Sequence, residues 1–354
     1  MKKLCLLALL LVFPLVANAY SSYRIVREGA GICLKSDGIT PCDLSDLNTS
    51  KLQNGDTVNI LGDFPNEGIE LSGKSNITIN ICNYKIKHIY VTGGSVTVQR
   101  GSSDICPSTS SDAINITGDE YSVKALGGGT VTLDNINISG HGALFKVDGS
   151  GSAITVKDGK YTTDTTGVGI EGNGGTLNLE KGTFDFPNQS NLGFSFGNNT
   201  IINFGKNDGI ASPLTPKLTT TTDTIIFDKG EGTPRNCTLN YYDGSIISKR
   251  GVDSANIAGI PSGYFVDYKV QKDNYIKTDF VSSSKTLFDY DWVSDDNVNV
   301  TDVINYALYV AGAKAQETVF KNFSTAKKAK IAINNGETPN MTDVINAALT
   351  VARG

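Results

Sequence analysis

The sequence predicts a mainly β protein, a parallel β-helix that is followed by a small α-helical domain at the carboxyl end. Short segments with alternating apolar residues recur from residue 55 to about 250, and the interval between them is nearly constant. Two similar segments with a helical spacing of apolar residues follow near the end of the chain. Alternation with a period of two is typical of strands, whereas apolar residues three and four positions apart are typical of helices.

The interval between the β segments indicates their architecture. The apolar segments begin 19 residues apart at Ile77 and Val96, and 23, 23 and 24 residues apart at Val131, Ile154, Leu177 and Ile201. Of their apolar residues, Ile154, Leu177 and Ile202 are predicted to stack on one another inside the fold. A repeat of roughly 20–25 residues with several short strands is typical of a parallel β-helix, in which stacked turns share one core. An antiparallel sandwich is the alternative, but that fold would not need so even a period.

A glycine recurs where these segments end. It is preceded by polar residues and followed by a polar and then an apolar residue, at Gly159, Gly182 and Gly244. Glycine adopts backbone conformations that other residues avoid, so it permits a tight corner between two strands. We therefore expect each of these glycines to lie at a corner of one turn.

The amino terminus has the three parts of a secretory signal. Lys2 and Lys3 precede an apolar run over 4–16, and small residues at 17 and 19 follow it. We therefore predict a signal peptide at 1–19 and a secreted protein, located outside the cell or at the cell surface. No later stretch approaches the roughly 20 apolar residues of a membrane-spanning helix, so no membrane span is expected.

Charge and cysteine content narrow the classes of partner. The formal net charge is −5 and no basic cluster of five or more residues is present, so nucleic acid is not an expected partner. Five cysteines remain after the signal, and an oxidising compartment permits disulfides. The pairs closest in sequence are Cys33–Cys42 and Cys82–Cys106, which leaves Cys237 over.

The start of the β region resembles a known family. Residues 52–60 read LQNGDTVNI, and residues 76–79 read NITI. These segments are similar to the first turns of pectin-lyase-like right-handed β-helix proteins, and the resemblance covers roughly 50–265. It implies a right-handed coil. The segment 260–264 resembles the closing stretch of secreted β-helix proteins, which would cap the exposed end of the stack.

The end of the chain contains an internal duplication. Residues 301–311 and 342–352 match at nine of eleven positions, with an offset of 41. Apolar residues fall at helical spacing in both copies, so each copy is predicted to begin an amphipathic helix. Thr301 and Thr342 stand where an N-cap hydroxyl would accept a hydrogen bond from a free helix N–H group.

Oxygen-bearing side chains precede the first of these helices at the spacing of a calcium loop. Ca²⁺ needs about six to eight oxygen ligands, and side chains at positions 1, 3, 5, 9 and 12 of the loop supply most of them. With Asp302 at position 12, Asn299 falls at 9, Asp295 at 5 and Asp291 at 1.

This arrangement resembles the dockerin family, whose duplicated EF-hand-type loops lead into helices that dock onto a cohesin module. The resemblance covers about 289–354. It implies a cohesin-like partner for the helices and Ca²⁺ in the first loop. The candidate metal ligands are Asp291, Asp295, Asn297, Asn299 and Asp302.

Both loops depart from the family pattern. In the first loop Val293 occupies position 3, and Asp296 replaces the usual glycine at position 6. In the second loop Ala332 occupies position 1 and Gly336 position 5, so the side-chain oxygens that remain are those of Asn334, Asn340 and Asp343. We therefore expect Ca²⁺ at the first loop rather than the second. A metal-free pair of helices remains the alternative for both.

These resemblances divide the chain into four parts. They are a signal peptide at 1–19, an N-terminal cap segment at 20–50, a β-helix domain with its closing segment at 51–285, and a duplicated helical module at 286–354.

No catalytic residues are predicted. The Gly-His-Gly around His141 is similar to that of polygalacturonases, but the paired aspartates before it and the Arg-Ile-Lys after it are absent. We therefore interpret His141 as a turn residue. Acidic and basic residues on successive turns are interpreted as solvated faces: Asp158, Glu171, Glu180, Asp185, Lys157, Lys160 and Lys181.

Three functions remain open. The favoured one is a secreted β-helix module that binds carbohydrate or another surface and is attached to a partner by a dockerin-like tail. The second is a divergent polysaccharide lyase or hydrolase carried by the same tail. The third is a structural or adhesive surface protein whose tail packs within itself. The first is favoured because residues of the attachment module are visible in the sequence and catalytic residues are not.

Overall fold

The computed structural model describes most of the chain from residue 49 to residue 353. The described ranges are 23–26, 49–60, 62–102, 113–164, 169–187, 194–197, 199–208, 215–220, 237–249, 252, 257–271, 275–282, 287–295, 297–334 and 336–353. The predicted signal peptide at 1–19 and most of the predicted cap segment at 20–50 lie outside these ranges. So do Cys33, Cys42 and Cys106.

The described residues confirm a mainly β chain with parallel sheets that ends in helices. The strands are β1 Tyr23–Val26, β2 Thr57–Ile60, β3 Ile69–Asn80, β4 Ile89–Gln99, β5 Tyr121–Leu126, β6 Thr130–Asp134, β7 Ile138–Gly140, β8 Ala143–Asp148, β9 Ala153–Val156, β10 Lys160–Thr163, β11 Ile170–Asn173, β12 Gly175–Leu179, β13 Thr183–Phe186, β14 Phe194–Phe196, β15 Thr200–Phe204, β16 Lys217–Thr220, β17 Thr238–Tyr241, β18 Ser245–Ser248, β19 Ile257–Gly259, β20 Tyr264–Val270 and β21 Ile276–Ser282. The helices are α1 Val300–Val310, α2 Lys314–Asn322, α3 Thr325–Ile331 and α4 Met341–Arg353.

The parallel strands lie on three faces, which the chain visits in turn. The first face contains β2, 77–80 of β3, 95–99 of β4, β6, β9, β12, β15, β17 and β19. The second face contains 69–72 of β3, 89–92 of β4, β5, β8, β11 and β14. The third face begins with single bridges at Phe64, Ile86 and Ile116 and continues through β7, β10, β13, β16 and β18.

One passage of the chain over the three faces is here called a circuit. The core forms because equivalent apolar residues stack from one circuit to the next. Val131, Ile154, Leu177 and Ile202 lie in register on the first face and are all buried. This register confirms the parallel stacking that the repeat predicted. The predicted inward stacking of Ile154, Leu177 and Ile202 is confirmed, whereas Ile201, the first residue of the same apolar pair, is 40% exposed. Each fully buried aliphatic side chain stabilises the fold by about 1.5–3 kcal/mol.

The recurring glycines lie at corners, as the sequence predicted. The backbone φ angle is 135° at Gly159, 114° at Gly182 and 85° at Gly244, in the region that favours glycine. A side chain would also collide with the previous circuit. A Cβ on Gly159 would lie 2.1 Å from the carbonyl oxygen of Ile136, and a Cβ on Gly244 would lie 2.0 Å from that of Pro216.

A row of threonine and asparagine side chains, here called the polar ladder, runs along the outside of the first face. Its members lie in register on successive strands: Thr78, Thr97, Thr132, Thr155, Asn178, Asn203 and Asn240. Asn178 donates from Nδ2 to Thr155 Oγ1 at 3.0 Å, and Asn203 donates to Asn178 Oδ1 at 2.7 Å. Asn240 donates to Asn203 Oδ1 at 2.8 Å. These residues alternate with buried ones, so their side chains point away from the core.

At each described end of this stack of parallel strands, here called the column, one of the three faces is paired with an antiparallel strand. β1 pairs antiparallel with β2. At the other end, the predicted closing stretch at 260–264 leads from β19 into a hairpin of β20 and β21. In this hairpin β21 pairs antiparallel with β18. The hairpin therefore covers the last strand of the third face.

The helical tail has an aromatic core of its own. Trp292 is fully buried, and the ring centroids of Tyr306, Tyr309, Phe320 and Phe323 lie between 4.9 and 6.1 Å from its own. Aromatic pairs at such separations stabilise a core beyond the area that they bury. This cluster therefore holds α1, α2 and the loop before α1 together.

The tail is also joined to the column by a buried ion pair. Lys327 Nζ of α3 lies 3.4 Å from both carboxylate oxygens of Asp267 on β20, and these side chains are 3% and 1% exposed. Burial lowers the pKa of Lys327, and the negative charge of Asp267 opposes that effect. Helix α2 packs on β20 as well. The helical module at 286–354, which was predicted as a separate part of the chain, is thus packed against the closing hairpin.

Two further expectations concern membranes and cysteines. Within the described ranges, no helix has the length and apolar character needed to cross a bilayer, as predicted. Cys82 is disulfide-bonded, and Cys106, its predicted partner, lies outside the described residues. Cys237 has a free thiol, as predicted, and burial raises the pKa of that thiol to about 12.

Candidate functional site

Three of the five predicted metal ligands converge in the loop before α1. The carboxylates of Asp291, Asp295 and Asp302 each offer an oxygen, and these oxygens lie within 4.8 Å of one another. Asp291 and Asp302 are buried, whereas Asp295 is exposed. Hard oxygen donors at such separations are the type that Ca²⁺ prefers. We call this set the acidic loop.

The two predicted asparagine ligands have other bonds. Asn299 Oδ1 accepts a hydrogen bond from the Thr301 backbone N–H at 2.7 Å, and Asn299 Nδ2 donates to Asp295 Oδ2 at 3.1 Å. Asn299 is therefore the N-cap of α1, and the assignment of that role to Thr301 was wrong because the helix begins at Val300. Asn297 is exposed, and its backbone N–H donates to Asp295 Oδ1 at 3.1 Å.

Asp302 stands at the centre of the acidic loop. Its two oxygens accept backbone hydrogen bonds from Val293 at 3.0 Å and from Asn299 at 2.8 Å. Burial raises its pKa, the two backbone bonds oppose that effect, and the charges of Asp291 and Asp295 add to it. Mutual repulsion among these carboxylates is the condition that a bound cation relieves. The buried hydroxyl of Ser294, a further oxygen in the same loop, has no hydrogen-bond partner.

The second loop repeats the backbone geometry of the first without its carboxylates. Asp343 accepts backbone hydrogen bonds from Asn334 at 3.2 Å and from Asn340 at 3.0 Å, which matches Asp302 at an offset of 41. The positions equivalent to Asp291 and Asp295 are Ala332 and Gly336. The Asn334 side chain instead donates from Nδ2 to Asp343 Oδ1 at 2.7 Å. This second loop therefore satisfies its aspartate with an amide rather than gathering charges.

Helices α1 and α4 expose matching apolar residues. Ile304 and Ile345 are 51% and 53% exposed, and Leu308 and Leu349 are 36% and 43% exposed. Val300 and Met341 extend the two sets by one turn and are also exposed. All three pairs are related by the offset of 41, and the two helices contact each other. We call these six residues the paired apolar face.

A charged and aromatic cluster lies on the second face, one or two residues from each circuit. It comprises Tyr90, Tyr121, Lys124, Lys146 and Glu171, and we call it the second-face cluster. Lys124 Nζ lies 4.4 Å from the ring centroids of both tyrosines. Lys146 Nζ lies 3.2 Å from Glu171 Oε2, which also accepts a hydrogen bond from the Tyr121 hydroxyl. The interpretation of Glu171 as merely solvated was therefore wrong.

The pKa values of Tyr90, Tyr121 and Lys146 in this cluster are all raised. Burial raises the pKa of Tyr90 to about 12, and burial and the bond to Glu171 raise that of Tyr121. Burial opposes the charge on Lys146, but the hydrogen bond and charge of Glu171 outweigh it and raise the lysine pKa. A groove of about 590 Å³ beside Tyr90 and Lys124 opens to solvent. The tyrosines therefore stay protonated and the lysine stays charged at neutral pH, so none of them is a ready general base.

His141 lies on the surface, as predicted for a turn residue. Its side chain is 71% exposed, and Nδ1 lies 2.7 Å from Asp164 Oδ2. Among the described residues, Asp164 is the only carboxylate within hydrogen-bonding distance of His141. The residues Asp158, Asp185, Lys157, Lys160 and Lys181 are exposed, as predicted, and Glu180 is half-buried.

Sequence reasoning missed the second-face cluster and the role of Asn334. Tyr121 and Glu171 are separated by 50 residues, so only the register of successive circuits brings them together. A polar residue at the outward position of each second-face strand was the available signal. The sequence indicated Asn334 only as a residue with a side-chain oxygen, whereas the Nδ2 of its amide donates to Asp343.

Comparison with known proteins gives no match of any kind. No protein-family model matches the chain, no curated protein matches its sequence, and no solved structure matches its fold. The class of protein is therefore defined by its own architecture, a column of parallel strands that carries a packed helical tail.

Proposed function

We propose that this protein is a secreted β-helix module that binds a carbohydrate or another surface and is attached to a cohesin-like partner through a dockerin-like tail. The paired apolar face carries the proposal. Large apolar side chains that stay exposed on a folded surface mark interaction sites. Here the chain presents them twice, in the same order and at the same helical spacing.

The arrangement of the strands supports the finer description of the column. From β2 to β14, each circuit contributes one described segment to each of the three faces, and every described step along a face is parallel. A parallel connection is right-handed in nearly all known cases, because right-twisted strands favour that hand. This supports the resemblance to pectin-lyase-like right-handed β-helix proteins, and in such a fold a ligand would bind to an outer face, because the interior is filled by the core.

The duplication supports docking rather than simple packing of the tail. Val303 and Val344 point inward from α1 and α4 and are partly buried against the core. The neighbouring Ile304 and Ile345 are about half exposed although the helices are already packed. Two equivalent faces allow a partner with one apolar groove to bind either helix. A structural or adhesive protein whose tail packs only within itself would not need these exposed faces.

Calcium would act on the first loop of this tail. Asp291, Asp295 and Asp302 would hold it, with Asn297 and Asn299 as the further predicted ligands, and the oxygen-only donor set fits that cation. When bound, Ca²⁺ supplies positive charge that neutralises the clustered carboxylates. Because Asp302 also bonds the start of α1, cation binding would stabilise the position of that helix.

The test uses the mature full-length chain and a panel of immobilised cohesin modules, with calcium or with chelator. We expect at least one cohesin to bind in calcium and to bind less in chelator. Replacing Ile304 and Leu308 by Asp should leave binding through α4, and replacing Ile345 and Leu349 by Asp should leave binding through α1. The fourfold variant should lose binding altogether.

Ile201→Asp provides the matched control for this experiment. Ile201 is an isoleucine of 40% exposure on the column, so it reports the general effect of a new surface charge. Full binding by the fourfold variant, or no binding to any cohesin in either condition, would contradict docking through this face. The structural or adhesive function would then be favoured.

The alternative of a polysaccharide lyase or hydrolase rests on the second-face cluster. Lys146 is ion-paired with Glu171, and Lys124 lies over the Tyr90 and Tyr121 rings, which favours binding over proton abstraction. Depolymerisation of pectate, or of another polysaccharide, that Glu171→Gln abolishes and Asp185→Asn preserves would support the enzyme instead. Asp185 is an exposed carboxylate on the third face.

A further inference from the structure

Part of the polar ladder borders a groove in the column. The groove has a volume of about 240 Å³, and the ladder residues Asn178 and Asn203 line it. Three further side chains that could contact a ligand also line it, namely those of Glu180, Lys206 and Tyr242. This groove lies beside the first face, and none of its lining residues belongs to the second-face cluster or to the tail.

The ladder amides retain hydrogen-bonding capacity. An asparagine amide has two N–H donors and an oxygen with two lone pairs. Asn203 uses one donor toward Asn178 and accepts one bond from Asn240. One N–H and one lone pair of Asn203 therefore remain for another molecule. Neighbouring strands lie about 4.8 Å apart, so the ladder offers this donor and acceptor pair repeatedly along a line.

The other three side chains are also uncommitted. Within the part of the chain that the structure describes, the side chains of Glu180, Lys206 and Tyr242 form no hydrogen bond or ion pair with one another or with a neighbour. The groove beside the second-face cluster differs, because Lys124 there is held over two aromatic rings and ion-paired with Glu120. The groove on the ladder thus has groups that are free to bind a ligand.

We propose that this groove binds a neutral, hydroxyl-rich oligosaccharide lying along the polar ladder, an inference that rests on and refines the carbohydrate-binding half of the proposed function. Sugar hydroxyls both donate and accept, which matches the free pair on Asn203. One carboxylate and one ammonium leave the groove with no formal charge, so it does not select an anionic ligand. The Tyr242 ring supplies an apolar surface for the face of one sugar ring.

The experiment is calorimetric titration of the full chain with cellohexaose, xylohexaose, mannohexaose and hexagalacturonate. We expect saturable binding of at least one neutral hexasaccharide and weaker binding of the uronate. Tyr242→Ala and Asn203→Ala should each weaken binding about tenfold, and Tyr242→Phe should retain most of it because the ring remains. Glu180→Gln, at a side chain without partners, should weaken binding without altering the melting temperature.

Matched controls lie on the third face. Asp185→Asn removes an exposed carboxylate, and Thr162→Ala removes an outward polar group from a neighbouring strand. Both should bind like the native protein. No saturable binding of any neutral probe, a preference for hexagalacturonate, or full binding by both Tyr242→Ala and Glu180→Gln would overturn the proposal. Cohesin binding is measured on the same variants and depends on α1 and α4, so failure of either half is seen separately.

Discussion

Asn334 accounts for the difference between the two loops of the tail. Its amide donates to Asp343, so that aspartate is satisfied by a neutral group. The equivalent residue in the first loop is Val293, which has no side-chain donor. Asp302 therefore faces Asp291 and Asp295 with only backbone N–H groups to balance its charge. One duplicated loop is complete without a cation, and the other is left with clustered charge.

The first prediction follows from this difference. Calcium should raise the melting temperature of the tail, and Asp302→Asn should abolish that rise, whereas Asp343→Asn should preserve it. At a concentration of about one hundred times Kd, a ligand stabilises the native state by about 2.7 kcal/mol. Thermal unfolding in calcium and in chelator measures the effect. Equal calcium responses of the two variants would contradict a role for the first loop alone.

A second residue-scale prediction concerns His88. Its ring stacks on Tyr90 with centroids 3.9 Å apart, and burial lowers its pKa from 6.5 despite the approach of Glu70 at 3.4 Å. The unfolded chain therefore binds the proton more tightly than the folded chain. Stability from this group is present above the ordinary pKa of histidine and is lost as the pH falls below it.

His88→Phe keeps an aromatic ring and removes the titration. Its melting temperature should fall less than that of the native protein between neutral pH and about pH 5. Melting curves of both proteins across this range provide the measurement. Parallel pH profiles would show that the burial of His88 has no energetic cost.

Some of these side-chain contacts were predictable from the sequence and others were not. The spacing of Asp291, Asp295 and Asp302 predicted their convergence, because a short loop limits how far apart they can lie. The N-cap was misplaced by two residues, because both Asn299 and Thr301 have suitable side chains and only the start of the helix distinguishes them. The bond between Tyr121 and Glu171 depends on register over two circuits.

At the scale of single elements, the strands obtain their stability from their neighbours. β12 has five residues, and its Leu177 is buried between Ile154 and Ile202 of the adjoining circuits. A strand of this length has no stability alone, so each circuit depends on the two that flank it. Deleting one inward side chain should therefore weaken a region rather than a single strand.

The third prediction tests this dependence with two neighbouring residues of the same sheet. Leu177→Ala should lower the free energy of unfolding by about 2–5 kcal/mol, because it leaves a cavity in the stacked core. Ile201→Ala, at a position that is 40% exposed, should change it by less than about 0.5 kcal/mol. Denaturant unfolding of both variants gives the two values, and similar losses would contradict the inward register of Ile202.

The period of the strands and the inward position of Ile202 were both predicted from the sequence, although the interval alone does not distinguish Ile202 from Ile201. Two consecutive isoleucines at 201 and 202 satisfy the same interval to within one position. Pairing with Leu177 decides between them, and that pairing depends on the preceding turn. The corner glycines were more informative, since a positive φ and a close carbonyl both exclude a side chain at Gly159 and Gly244.

At the scale of the whole molecule, the tail and the column form a continuous structure. Lys327 and Asp267 are 60 residues apart in sequence and pair in a buried junction. This contact was not predictable from the sequence, because a single lysine in a short helix resembles any solvated lysine. The predicted boundary near residue 285 therefore separates elements that are packed together.

The fourth prediction concerns this junction. Lys327→Met should destabilise the protein by about 3–5 kcal/mol, because it leaves the Asp267 carboxylate buried and unpaired. The double variant Lys327→Met with Asp267→Leu should recover most of that loss. Thermal unfolding and amide exchange of α3 and β20 measure both effects. A double variant that is as unstable as the single one would show that packing, not charge, holds the junction.

The antiparallel strands at the two ends of the column have a consequence for self-association. A stack of parallel strands can act as a template, since an unpaired terminal strand can recruit the same strand of a second molecule and begin a fibre. Here β1 stands against β2, and β21 stands against β18 in the opposite direction to the repeat. Helix α2 and Lys327 then cover the hairpin. On these two faces the described strands next to the repeat run against it, so neither β1 nor β21 should recruit the repeat of a second molecule when many copies lie close together.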